Sequence, residues 1–253
     1  MMFCILWLSA ESQSQPKKNK IANKMQLAWS DEFNYTGLPD TNKWNYDTGG
    51  WGWGNNELQY YTKDSLGNAR VANGLLTIEL KKQAIEDKKY SSARLVTKGK
   101  GDWIYGRIDV RAKLPKGLGT WPAIWMLGKN IIEPGAYWSN SFGNTSWPAC
   151  GEIDIVEHRG SELNKIFGTL HYPGRSGGNP DGSTKVIANA TTEFHIYTVE
   201  WYADAIKIYV DNQLFHTVAN SANIPFNHDY FLLVNMAMGG TFGGAVESSF
   251  NAA

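Results

Sequence analysis

Residues 151–160 read GEIDIVEHRG, and the phase of the acids in this stretch decides how the chain folds. Three acids, Glu152, Asp154 and Glu157, are separated by Ile153, Ile155 and Val156. β-Branched residues favour strands, and strand side chains alternate between faces. Glu152 and Asp154 then share one face, and Ile153 and Ile155 form the other. Strict alternation sends Glu157 into the apolar face, where an unpaired carboxylate costs several kcal/mol or stays protonated. One extra residue removes the conflict. A β-bulge between Asp154 and Glu157 restores phase and puts all three acids on one face, and bulges are enriched beside active sites.

That arrangement has a chemistry. With the bulge, Glu152 and Glu157 lie about four strand steps apart, roughly 13 Å between backbones. Side chains leaning together bring their carboxyl groups to about 5–6 Å, the separation at which one acid attacks a sugar and the other protonates the leaving oxygen. Asp154, between them, can share a proton with either and push their pKa values apart. Spacing alone leaves open which Glu does which. A metal centre would recruit His beside the acids, and His158 points away when Glu157 points in.

The rest of the chain reads as strands. GLLTIELKK (74–82), YGRIDVRAKL, AIWML, FGTLHY, FHIYTVEWYA, AIKIYV and YFLLVNMAMGG are short and mostly alternating, with turn residues between them. A two-residue turn at Asn212-Gln213, or one shifted by a residue, joins AIKIYV to LFHTV. No βα alternation is present, so the pattern predicts an all-β sandwich of two antiparallel sheets. Two long loops, 129–148 and 173–190, flank the acidic strand in sequence and are expected to wall its cleft.

With 253 residues, 42% of them hydrophobic, one core of domain size is available. Formal net charge is zero, which argues against a nucleic-acid or anionic-membrane partner. No apolar run reaches membrane-spanning length. The 11 Trp and 12 Tyr exceed what a core needs, and several lie in Gly-rich stretches such as WGWG, GAYWSN and TSWPAC, where they suit flat sugar faces. The start, MMFCILWLSA, has the apolar run and small-residue end of a secretory signal. Residues 1–24 are therefore expected to be a signal remnant and polar tail, and residues 25–253 the catalytic domain. Without the first segment Cys150 is a lone thiol, so no disulfide framework is expected.

The pattern resembles glycoside hydrolase family 16, in its laminarinase branch with a bulged E-x-D-x-x-E. WSDEFN, WGNNELQYYT, SARLVTKG, GTWPAIWMLG, WPACGEIDIVEH, FGTLHY, IKIYVDNQ and LLVNMAMGG are similar to family segments and occur in family order across about residues 28–244. The resemblance implies a β-jelly roll with an open glucan-binding cleft on its concave sheet. It implies endo-acting, retaining cleavage of β-1,3-glucan, with no cofactor required for catalysis. A secreted, periplasmic or cell-surface location and a monomeric state are expected with it.

Residue by residue, the resemblance makes Glu152 the nucleophile, Glu157 the acid/base and Asp154 the assisting acid. Trp121 and Trp125 resemble the aromatic floor of the minus subsites. Asn55 and Arg94 match positions that hydrogen-bond sugar hydroxyls, an ion pair being the other reading of Arg94. His171 matches a residue near the acid/base. MAMGGTFGG resembles a cleft-edge loop. The bulge favours β-1,3-glucan, since mixed-linkage and carrageenan-acting relatives often carry the in-phase E-x-D-x-E. A non-catalytic, lectin-like β-glucan-binding module and an enzyme acting on mixed-linkage glucan or a galactan are the alternatives. One departure stands out. The usual final strand resembling DYVRVY has no counterpart before ESSFNAA. Its Asp often serves a structural calcium, for which Glu32 and Gly74 are the remaining candidates. A sheet edge left open there is expected to lower stability.

Overall fold

The computed structural model describes the backbone of residues 2–10 and the whole of residues 25–132 and 143–253. The polar tail at 11–24 and the middle of the 129–148 loop lie outside the described residues.

Two eight-stranded sheets form the body. The first holds β1 (Met2–Ala10), β2 (Gln26–Trp29), β5 (Ala69–Ala72), β6 (Leu75–Ile78), β10 (Gly106–Lys113), β15 (His195–Trp201), β16 (Ala205–Val210) and β17 (Gln213–Ala219). Its order is β17-β16-β15-β10-β1-β6-β5, with β2 beside β1. The second holds β3 (Asn45–Asp47), β8 (Arg94–Val96), β9 (Asp102–Trp103), β11 (Thr120–Gly128), β12 (Glu152–His158), β13 (Lys165–His171), β14 (Asp181–Val186) and β18 (Tyr230–Met238). Its order is β14-β13-β12-β11-β18-β8-β3, with β9 beside β18. Pairing within both is antiparallel, while β4 (Gln59–Tyr61) and β7 (Tyr90–Ser92) form a small parallel pair. The helical content among the described residues is the single turn α1, Gly240–Gly243.

Alternation builds the core. Ile108, Val110 and Ala112 of β10 and Tyr197 and Val199 of β15 face Ile124, Met126, Ile153, Ile155, Val156 and Leu232 of the second sheet in one buried cluster. Leu76, Ile78 and Leu80 join it, as the period-2 pattern of GLLTIELKK requires. The opposite face of the second sheet is left for the cleft. The β16–β17 hairpin turns at Asp211-Asn212, one residue earlier than Asn212-Gln213. Both turn residues have positive φ (48° and 61°), as a type I′ turn demands.

Met2–Ala10, read from sequence as a signal remnant, runs as β1. It pairs with β10 from Met2↔Lys113 to Ser9↔Arg107 and with β6 at Met2↔Thr77 and Phe3↔Leu76. β1 therefore sits between β10 and β6, and backbone N–H and C=O groups of both neighbours have it as their partner. The C-terminal residues lie nearby: Leu80 and Ala253 exchange two backbone hydrogen bonds of 2.9 Å, and Phe250 is buried in the core.

Candidate active site

The acidic strand carries the bulge. Five residues of β11, Ala123 to Leu127, face six of β12, Glu152 to Glu157, and Ile155 is the one without a partner. On the other side, Phe167 to Thr169 of β13 face Asp154 to Glu157, with the shift again between those two acids. Ile153, Ile155 and Val156 all enter the core, and Glu152, Asp154 and Glu157 face the cleft. Gly151 sets the start of this strand. Its φ is +76°, and a Cβ there would lie 1.8 Å from the Tyr230 hydroxyl, which donates to the Cys150 carbonyl at 3.1 Å.

Each glutamate receives an indole N–H. Trp147 Nε1 donates to Glu152 Oε2 at 3.0 Å, and Trp121 Nε1 donates to Glu157 Oε1 at 2.9 Å. Ala123 is the β11 partner of Glu157, so a small side chain flanks that carboxylate. His171 pairs with Glu152 across β12 and β13, and its Nε2 lies 3.7 Å from Glu152 Oε1 and 3.3 Å from Asp154 Oδ2. Directly across from Glu157 stands Phe167 rather than His171. Gly177 N–H donates to His171 Nδ1 at 3.2 Å. Neutral His171 therefore carries its proton on Nε2, facing the acids. Glu152, Asp154 and His171 bring one ligand atom each within 4.8 Å of one another, a metal-like spacing.

Electrostatics follow from burial. Loss of water raises the carboxyl of Glu152 well above its ordinary range, and repulsion from Asp154 adds to this. Asp154 is raised well above its range by burial and then by Glu157. Burial raises Glu157 too, opposed by the Trp121 hydrogen bond, His171 and Arg159. Asp154 is the deepest of the three and its Oδ2 is buried without a hydrogen bond. It is the acid best placed to keep a proton while Glu152 ionises. A testable result follows from linkage. A carboxyl whose folded pKa is raised contributes stability below its unfolded pKa and loses it as pH rises through the folded pKa. Asp154→Asn should therefore leave the melting temperature nearly unchanged near about pH 4 and raise it increasingly toward about pH 8. Thermal melts across that range check it, and a gain largest in acid would contradict it.

The other expected residues form one wall. Trp121 and Trp125 stand on the cleft face of β11, and Pro122 fits because β12 pairing with β11 starts only at Ala123. Trp125 Nε1 donates to Asn235 Oδ1 (2.7 Å), Asn235 Nδ2 to the Tyr61 hydroxyl (2.9 Å), and Tyr61 to Glu57 Oε2 (3.1 Å). Asn55 Nδ2 donates to Glu57 Oε1 at 3.3 Å, closing a chain from Trp125 to Asn55. Arg94 lies between the Trp53 and Trp125 rings, 4.5 and 4.8 Å from their centres, and pairs with buried Asp47 at 3.0 Å. Its charge thus holds the indoles in place, the ion-pair role weighed beside sugar contact. The glycine-rich loop meets the same wall: Thr241 N–H donates to the Asn55 carbonyl at 2.8 Å. Gly240, at φ +72°, permits this approach, since a Cβ there would sit 2.7 Å from that carbonyl oxygen.

Sequence reasoning missed Trp147, Glu57, Asn235 and Asp47. The signals for two of them were present: Trp147 opens WPAC before the acidic strand, and Glu57 stands two residues after Asn55. Glu32 and Gly74, the calcium candidates, offer one carboxylate and two backbone carbonyls between them. Neighbouring Asp31 is taken up by Trp44 Nε1, the Tyr35 hydroxyl and Lys43. Calcium takes six to eight oxygens, so Glu32 and Gly74 would hold it only with further carbonyl or water ligands.

A family model described as glycosyl hydrolases family 16 matches residues 56–241, well over half of the chain. The chain belongs to glycosyl hydrolase family 16. A beta-glucanase of Rhodothermus marinus is 45% identical over 87% of this chain and 77% of its own. The X-ray structure of the laminarinase from Rhodothermus marinus superposes with a TM-score of 0.81 at 44% identity, covering 90% of this chain and 92% of that one. The laminarinase catalytic domain from Thermotoga maritima superposes at 0.78 with 40% identity, covering 90% and 93%. These family 16 neighbours carry the jelly-roll architecture, and the two antiparallel sheets described above match it.

Proposed function

We propose that Glu152 is the nucleophile and Glu157 the acid/base of a laminarin-type endo-1,3-β-glucanase working by double displacement. The chain is a retaining glycoside hydrolase of the endo-1,3-β-glucanase kind. The observation that carries the residue roles is the five-against-six register, which turns Glu157 back onto the face of Glu152. In the first step Glu152 attacks the anomeric carbon while Glu157 gives its proton to the departing glycosidic oxygen. In the second, Glu157 takes a proton from water, the water oxygen bonds to the anomeric carbon, and Glu152 leaves as a carboxylate. Two glycosidic inversions give net retention. No cofactor enters either step.

Electrostatics support the order of roles. Trp147 N–H and the Nε2–H of His171 favour an ionised Glu152, and Asp154 between the two acids can hold the proton that would otherwise compete for it. One copy of the chain supplies all three acids and the aromatic wall, which supports action as a monomer. The substrate is a polymer, and we place the enzyme outside the cytoplasm, where such polymers are met. Retention of all three carboxylates favours catalysis over the lectin-like alternative.

Reducing-sugar assays on laminarin, lichenan, agarose and carrageenan, side by side, test the reading. Laminarin is expected to be cut fastest, with retained configuration at the new reducing end by proton NMR. Cleavage of lichenan without laminarin would move the enzyme to the mixed-linkage side, and no cleavage of any of the four would favour the binding-module alternative.

A further inference from the structure

We propose that Arg159 is a positioning residue for the acid/base, clamping the glycine-rich loop 239–244 onto Trp121 so that the indole N–H stays on Glu157. The inference rests on the acid/base role given above to Glu157. Arg159 follows Glu157 by two residues, just past the end of β12. Its guanidinium carbon lies 4.7 Å from the ring centre of Phe167 on β13 and 4.7 Å from that of Phe242 in α1. The two rings meet edge to face, 5.0 Å apart at 76°. Phe242 also packs against Trp121, with centres 5.1 Å apart at 44°. Trp121 then donates to Glu157 Oε1 at 2.9 Å. The contacts run in series to the acid/base, from Arg159 through Phe242 and Trp121 to Glu157, and Arg159 lies two residues along the chain from that same acid.

Each link has a physical reason. A guanidinium over an aromatic face is attracted by the ring quadrupole, and flat stacking leaves its edge for a carboxylate. Arg159 Nη2 uses that edge on Glu162 Oε2 at 2.8 Å. The loop that carries Phe242 has positive φ at Gly239, Gly240 and Gly244, so its backbone adds little stiffness of its own. Backbone hydrogen bonds from Gly239 N–H to the Gly119 carbonyl and from Thr241 N–H to the Asn55 carbonyl anchor its start, and Phe242 adds three side-chain contacts beyond them. The chemical consequence concerns one proton. With the indole N–H on Oε1, the proton to be transferred sits on Oε2. A loosened indole lets the carboxyl turn and present the wrong oxygen. The charged and titratable groups around Glu157 are Glu152 and Asp154 on its own strand, His171 on β13 and Arg159 itself. Of these Arg159 is the permanent cation.

The test is a double-mutant cycle on laminarin, with Arg159→Met and Phe242→Leu chosen to keep bulk. Each is expected to lower kcat about tenfold with KM changed less than about threefold, and the double variant should be no slower than the worse single one. Arg159→Lys, which also places a cation over a ring, should recover most of the loss. The alkaline limb of kcat/KM should move upward in Arg159→Met, where the cation near Glu157 is gone, and stay in place in Arg159→Lys. Thermal melts separate folding from chemistry. Variants that melt lower yet keep the parent kcat well below melting, or whose losses multiply independently, would overturn the inference. If the parent chain itself does not cut laminarin, the functional reading fails instead, so the two failures are distinguishable.

Discussion

Glu152→Ser is expected to lower turnover of laminarin by at least about 10⁴-fold while binding of laminarin-derived oligosaccharides is kept. The variant removes the atom that forms the glycosyl bond and leaves the aromatic wall, Trp121, Trp125 and Trp53, in place. Removing one of three crowded, dehydrated acids also relieves repulsion, so affinity should hold or rise. Added azide gives a sharper check. In the space vacated by Glu152 it attacks the anomeric carbon once and yields a product of inverted configuration. If Glu152→Ser hydrolyses laminarin at the parent rate, or azide yields the retained product, the nucleophile is another residue.

Glu157→Gln is expected to cost about 10² to 10⁴ in kcat/KM on laminarin. The loss should depend on the leaving group. A dinitrophenyl oligosaccharide departs without a proton, so its first step should run near the parent rate and the covalent intermediate should accumulate as a burst. Azide in a small-residue variant at this position attacks that intermediate and gives the retained product, opposite to the Glu152 case. The pair of stereochemical outcomes assigns both roles independently of any resemblance. An equal loss on natural and activated substrates would show that Glu157 supports structure and not proton transfer.

The legibility of this protein in its sequence was uneven, for physical reasons. The bulge could be read because GEIDIVEHRG contains its own contradiction: an acid on the core phase, beside residues that all need burial. Strand alternation elsewhere placed the core faces for the same reason. Contacts across the sheet left no such trace. Nothing in SARLVTKG says that Arg94 pairs with Asp47 and lies between Trp53 and Trp125. Those partners are 47, 41 and 31 residues apart, set by sheet order and not by local pattern. The hairpin turn was read as Asn212-Gln213 or one shifted by a residue, and the structure takes the shifted register at Asp211-Asn212, where both residues have positive φ. His171 was found as a site residue but sits across from Glu152, a detail fixed only by the antiparallel register of β13.

The unpartnered Ile155 has a consequence for how such clefts change over time. Ala123 pairs with Glu157, Ile124 with Val156 and Trp125 with Asp154, and Ile155 contributes to none of these matches. Its removal would shorten the strand while every neighbouring pair kept the same partner. The in-phase and out-of-phase spacings of the acids are then one codon apart. A lineage can cross between two cleft geometries, in either direction, without passing through a misregistered sheet.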